Sequence, residues 1–208
     1  PNIRVVEIVG MFIPPNIYGH IPNTVIFDWR KDLWHPIKRD FVDKEGFEEL
    51  MEKTGISNDT TVICCSLGKQ FATYAFWVFK YYGHKDVRVL NGGLEKWIRE
   101  KRPLIGKLKN FSGTHLTRYK AKKPDMSIRV FRDYVLRSLK RKNVLLVDAR
   151  TPQEYRGELI NAPNLPQEGS YCAGRIPGAI NIYFEENIQP DGSFKPPKNF
   201  NNYIYHVE

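Results

Sequence analysis

Apolar residues in this chain fall into short dense runs, and the stretches between them show helical spacing. Residues 3–9 read as an apolar strand. In 43–53, Phe47, Leu50 and Met51 recur on one side, with Glu48, Glu49 and Glu52 between them, which predicts an amphipathic helix stopped by Gly55. Residues 61–64 form a short buried strand, and 65–69 a loop containing Gly68. Residues 70–82 predict a strongly apolar helix ending at Gly83, more suited to a core than to a ligand. A strand at 87–90, an Asn91-Gly92-Gly93 turn and a helix from 94 to 99 follow. This rhythm predicts an α/β fold, a parallel sheet with helices on both faces. Residues 107–124 carry Gly, Ser, Thr and many cations without an apolar stripe, and read as a linker draped on the surface. Residues 127–139 predict the helix that opens a second domain, with Ser127 as N-cap and Val130, Tyr134, Val135 and Leu139 as its apolar face.

The chain also repeats itself. Residues 19–29 (GHIPNTVIFDW) return 155 positions later as 174–184 (GRIPGAINIYF), each copy preceded by an apolar strand, at 3–9 and at 144–147. Two copies of one domain follow: a first over 1–122, including a linker at about 107–122, and a second over 123–208.

Composition narrows the function classes. With 41% hydrophobic and 26% charged residues over 208 positions, the chain is a folded protein rather than a disordered or low-complexity one. The net charge of +9 suits anionic ligands or solubility. The cationic clusters at 101–102, 122–123 and 140–142 have no aromatic residues interleaved, so nucleic acid is not an expected partner. Three cysteines are too few for a disulfide framework, and the odd count leaves a thiol unpaired, as expected in the cytoplasm. Without a C-x-x-C pair no metal site is expected. The most apolar stretch, 74–82, is short and interrupted by Lys80, and no leader pattern opens the chain, so no membrane span is expected.

Cys65 has a chemically suggestive position, directly after an apolar strand and just before a helix. Loop N–H groups and a helix N-terminus there would stabilise a thiolate and bind a small oxyanion, and Lys69 adds a cation. The alternative is that Cys65 is a small buried residue like Cys64, which alternation turns into the sheet. Cys172 lies in a Pro/Gly-rich loop away from any strand end. Asp28 and Arg30 fit a salt-bridged loop better than a pocket rim, and His20 and His84 sit in turn motifs as structural residues.

These segments together resemble the tandem-domain rhodanese, or thiosulfate sulfurtransferase, family. The resemblance rests on GHIP at 19–22, FDWR at 27–30 and FWVFKYYGHKDVRVLNGG at 76–93. In the second half it rests on LVDARTPQEYRGE at 146–158, GRIPGA at 174–179 and DGSFK at 191–195. It implies transfer of the outer sulfur of thiosulfate to a thiophilic acceptor, cyanide or a thiol, through a cysteine persulfide, with no cofactor. Cys65-Ser66-Leu67-Gly68-Lys69-Gln70 matches the family's C-x-x-G-x-x loop, which makes Cys65 the candidate nucleophile and Ser66, Leu67, Gly68, Lys69 and Gln70 the candidate substrate cradle. Asp148, Arg150, Glu154 and Arg156 match the strand end bordering the second-domain pocket, where Arg150 would help hold the donor. The family usually keeps its active cysteine in the second domain, and by that pattern the second copy here is incomplete at Glu208. A non-catalytic or truncated module, acting in binding or as half of a split protein, is therefore the competing reading. Its partner would be a second copy or a complementing chain that pairs with an open sheet edge. A phosphatase of the same fold would need Arg where Phe71 stands.

Overall fold

A computed structural model of the chain describes residues 2–10, 17–67, 69–106, 118–161 and 171–197. Contacts divide it into two units, Pro1–Arg129 and Val130–Glu208. In the first, strands β1 (Ile3–Val9), β2 (Thr24–Asp28), β3 (Thr61–Ser66) and β4 (Val87–Val89) form a parallel sheet in the order β2-β1-β3-β4. Helices α1 (Lys44–Lys53) and α2 (Lys69–Tyr81) connect β2 to β3 and β3 to β4, and α3 (Gly93–Arg99) follows β4. Strand alternation sends Val6, Ile8, Val62 and Cys64 to one face, where Phe47, Leu50 and Met51 of α1 and Ala75, Val78 and Phe79 of α2 cover them. Val5 and Cys65 point to the other face, against Ile21 and Leu94. A sheet covered on both sides is the expected α/β architecture.

Three predicted boundaries shift, each for a non-local reason. Strand β3 runs two residues beyond 64, because Cys65 and Ser66 pair with Glu7 and Ile8 of β1. The predicted helix at 127–139 is broken. Asp125, not Ser127, caps a single 3₁₀ turn at Met126–Ile128, Arg129 is extended, and helix α4 covers only Arg132–Ser138. Arg129 is pulled out of helical geometry by the paired oxygens of Asp40 (2.9 and 3.0 Å) while stacking over Phe41. Of the predicted linker, 107–117 lies outside the described residues. Residues 118–124 run along the surface with 118, 120, 122 and 123 exposed, but Tyr119 and Ala121 turn inward and are buried, and their N–H groups donate to Glu52 (3.1 Å) and Glu48 (2.8 Å) of α1.

His84 ties this stretch to the sheet. The Thr60 carbonyl can only accept, so Nε2 carries the proton, and Nδ1 accepts from the Tyr119 hydroxyl, both at 2.9 Å. Burial holds the His84 pKa below its ordinary value. The unfolded chain therefore binds the extra proton first, and stability falls as pH drops from about 7 through 6, by at most about 1.4 kcal/mol per pH unit. Glu7 and Asp32, whose carboxyls burial pushes up, act in the opposite direction. Urea midpoints of wild type and His84→Gln should thus converge as pH falls from 7.5 to 5.5. Parallel lines would remove His84 as the cause.

In the second unit, β5 (Val147–Asp148) and β6 (Ile180–Asn181) pair in parallel beside α4 and α5 (Pro152–Arg156). Among the described residues no helix is long and apolar enough to cross a membrane.

Candidate active site

The end of β3 is closed rather than open. Cys64 and Cys65, adjacent on one strand, face opposite sides of the sheet, and neither exposes any surface. Burial pushes both thiols up, and for Cys65 the neighbouring Glu7 carboxylate pushes further. Cys65 thus belongs to the strand, packed with Val5, Ile21 and Leu94, where burial disfavours its thiolate. The side chain that meets the N-terminus of α2 is that of Ser66, whose Oγ accepts from the Ala72 N–H at 3.2 Å. Leu67 packs against the Cys65 face, and Gln70 points to solvent. Gly68 and the Lys69 side chain lie outside what is described. Gly93 roofs the strand end from α3: it has φ +61°, and a Cβ there would lie 2.8 Å from the Ser66 carbonyl.

Parallel register puts Glu7 of β1 beside Cys65. Its carboxylate meets His20 Nδ1 at 3.0 Å, with both side chains at 3% exposure or less. The His20 backbone exchanges two hydrogen bonds with Ile105, both 2.8 Å, which fixes the ring in place. Sequence reading missed this pair. The available signal was Glu7 itself, a lone carboxylate inside an apolar strand, which must find a partner when buried. Asp28 closes its own turn by accepting from the N–H groups of Arg30 (2.9 Å) and Lys31 (3.1 Å), while the Arg30 guanidinium lies over Trp29 and Trp34.

Arg150 stands in the second unit, at the end of β5. Its Nε and Nη2 grip Asp148 Oδ1 and Oδ2 at 3.0 and 2.6 Å, and Nη2 also donates to the Gly174 carbonyl at 2.8 Å. Those hydrogen bonds hold the Asp148 carboxyl below the usual carboxylate range. Asn181 Nδ2 donates to the Asp148 and Arg150 carbonyls (2.8 and 2.9 Å), and Thr151 and Glu154 form a capping box that starts α5. Gly157 (φ +82°) ends α5 where a Cβ would sit 3.1 Å from the Gly174 N atom, so the helix end and the 174 turn approach closely. The result is a rigid cationic strand end, one third of whose Arg150 side chain stays exposed. Cys172 is also exposed.

Comparison with known proteins matches residues 14–100 and again 131–205 to the Rhodanese-like domain. The chain is 47% identical over 199 residues to the sulfur carrier protein TtuD of Thermus thermophilus, covering 94% of this chain and 68% of that protein. It is 46% identical over 178 residues to a protein of Saccharopolyspora erythraea named "Putative thiosulfate sulfurtransferase", covering 85% of this chain and 62% of the relative. The chain thus spans roughly two thirds of these relatives. SseA of Escherichia coli, a 3-mercaptopyruvate sulfotransferase with a rhodanese fold, superposes with a TM-score of 0.77 at 22% identity, over all of this chain and 79% of SseA.

Proposed function

Since the chain belongs to the rhodanese-like family, we propose that it acts in sulfur transfer from thiosulfate to a thiophilic acceptor, and that its first unit supports this chemistry without carrying the sulfur. In the reaction a cysteine thiolate attacks the outer sulfur of thiosulfate, and the sulfur–sulfur bond breaks. Sulfite leaves with the electron pair, and a cyanide or thiolate acceptor then takes the outer sulfur from the persulfide. Relatives named for sulfur carriage and thiosulfate sulfur transfer support the general reading. The carrying observation for the first unit is the complete burial of Cys65 in β3. A nucleophile must reach its substrate, and among the described residues Cys65 packs with Val5, Ile21 and Leu94 and pairs beside Glu7.

A second reading keeps Cys65 as the persulfide carrier. It is favoured by position: Cys65 lies near the carboxyl end of β3, beside β1, where the order β2-β1-β3-β4 reverses, and open parallel sheets hold ligands beyond strand ends at such points. Intact mass spectrometry after thiosulfate treatment separates the two. The folded chain is expected to gain no sulfur on Cys65. One sulfur atom gained by wild type and not by Cys65→Ser would restore Cys65 as nucleophile. A chimera tests the wider claim, with this chain replacing its matched portion of the Saccharopolyspora erythraea relative. It should form thiocyanate from thiosulfate and cyanide, and an inactive but folded chimera would overturn sulfur transfer.

A further inference from the structure

Cations are spread unevenly along this chain. Residues 101–123 hold eight Lys or Arg and no Asp or Glu, so one segment carries eight of the nine surplus charges. Its described cations, Lys101, Arg102, Arg118, Lys120, Lys122 and Lys123, are all exposed.

Over 118–122 these cations are held from beneath. Exposed Arg118, Lys120 and Lys122 alternate with buried Tyr119 and Ala121, the side-chain alternation of an extended backbone. Every N–H from 119 to 122 is bound inward, to Glu52 (3.1 Å), Asn58 (3.0 Å), Glu48 (2.8 Å) and the Tyr82 carbonyl (3.0 Å). The Lys120 carbonyl accepts from Asn58 at 2.9 Å. A Cβ at Gly83 would lie 2.8–3.0 Å from the Lys122 stem, so that stem lies flat against the turn. The three outward side chains thus form a fixed row, spaced about 7 Å apart. Arg88, Arg129, Arg150 and Arg156 each grip a carboxylate, whereas among the described residues Arg118, Lys120, Lys122 and Lys123 make no ion pair. Glu48 and Glu52 bind the backbone of the row rather than its cations. Lys80 and Lys85, on either side of the turn that Lys122 meets, add two exposed cations, and Asp59, the sequence neighbour of Asn58, stands against them as an exposed acid.

We propose that this row is a docking surface for an extended acidic segment of a partner protein, with carboxylates on alternate residues. Three features choose that occupant. An extended chain repeats its side chains along one face at the same ~7 Å as the row, so alternate carboxylates meet successive cations. The N–H groups of 119–122 are already bound inward, so the partner is read by side-chain charge and not by an added strand. Tyr119, the aromatic residue within the row, is buried and offers no ring for base stacking, which disfavours a single-stranded nucleic acid.

The probe is a fluorescent peptide of alternating Glu and Thr, titrated into the full 208-residue chain at low salt and followed by anisotropy. The peptide should bind, and its affinity should fall about tenfold when salt is raised to about 200 mM. A peptide of the same composition with its Glu residues in one block should bind at least about threefold more weakly. Lys120→Glu combined with Lys122→Glu should weaken binding at least about tenfold, and Lys120→Gln with Lys122→Gln, which keeps both stems, about threefold to fivefold. Lys140→Glu with Lys142→Glu makes the same change of net charge at exposed positions of the second unit and should leave the affinity within about twofold. A thymidine oligonucleotide of equal charge should bind less tightly than the alternating peptide. The proposal is overturned if the peptide does not bind at low salt, if the blocked peptide binds as tightly, if the second-unit pair costs as much as the 120–122 pair, or if the oligonucleotide binds more tightly.

Discussion

Replacing Glu7 by Ala is expected to destabilise the first unit by about 3–5 kcal/mol. The substitution removes a buried side chain whose carboxylate meets His20 at 3.0 Å, and it leaves the His20 ring facing an apolar cavity between β1 and α3. His20 cannot move to water, because its backbone is tied to Ile105 on both sides. Glu7→Gln keeps an acceptor for the ring and should cost less, about 1–2 kcal/mol. All four tryptophans, Trp29, Trp34, Trp77 and Trp97, lie in the first unit, so urea unfolding followed by tryptophan fluorescence isolates the effect. A loss below about 1 kcal/mol for Glu7→Ala would mean that the pair contributes little beyond packing.

The second large effect concerns the thiols. In the folded chain an aromatic disulfide reagent should label Cys172 at the rate of an ordinary exposed cysteine, and Cys64 and Cys65 about three orders of magnitude more slowly. That factor corresponds to an opening free energy of ~4 kcal/mol, a modest value for core strands. Both buried thiols face hydrophobic walls, and their raised pKa values remove the thiolate that would react. After denaturation all three should react alike. Cys172→Ser should erase the fast phase, and Cys65→Ser should leave it untouched. A second fast thiol that disappears in Cys65→Ser would contradict the closed strand end and revive Cys65 as nucleophile.

Much of the first unit was legible from its apolar pattern, because its elements are locally punctuated. Asp43 caps α1 through the Gly46 N–H, and the helix stops at Gly55 as its spacing implied. What escaped was set by partners distant in sequence. Cys65 looked like a loop residue because the run of β-formers weakens there, yet the register with Glu7 and Ile8 continues the strand. The cation-rich stretch after 117 looked solvated, but Glu48 and Glu52 of α1 bind its backbone. At the candidate site, the C-x-x-G-x-x spacing was readable and the burial of its first residue was not. Spacing locates a sulfur in the chain without saying which face of a strand it takes, and Glu7 and Leu94 on that face decide its accessibility.

The strap formed by 118–129 also bears on how the chain emerges during synthesis. Asn58 binds the Lys120 backbone across 62 residues, Glu52 and Glu48 reach Tyr119 and Ala121 across 67 and 73, and Arg129 returns to Asp40 across 89. Each of these closures must wait for the later partner to clear the ribosome. A nascent chain that has exposed β1 to α3 therefore holds its sheet without the backbone hydrogen bonds that Glu52 and Glu48 accept from Tyr119 and Ala121, and with His84 lacking the Tyr119 hydroxyl. Such long-range closure raises contact order and slows the final step. The first unit can complete its folding only as the second begins to appear.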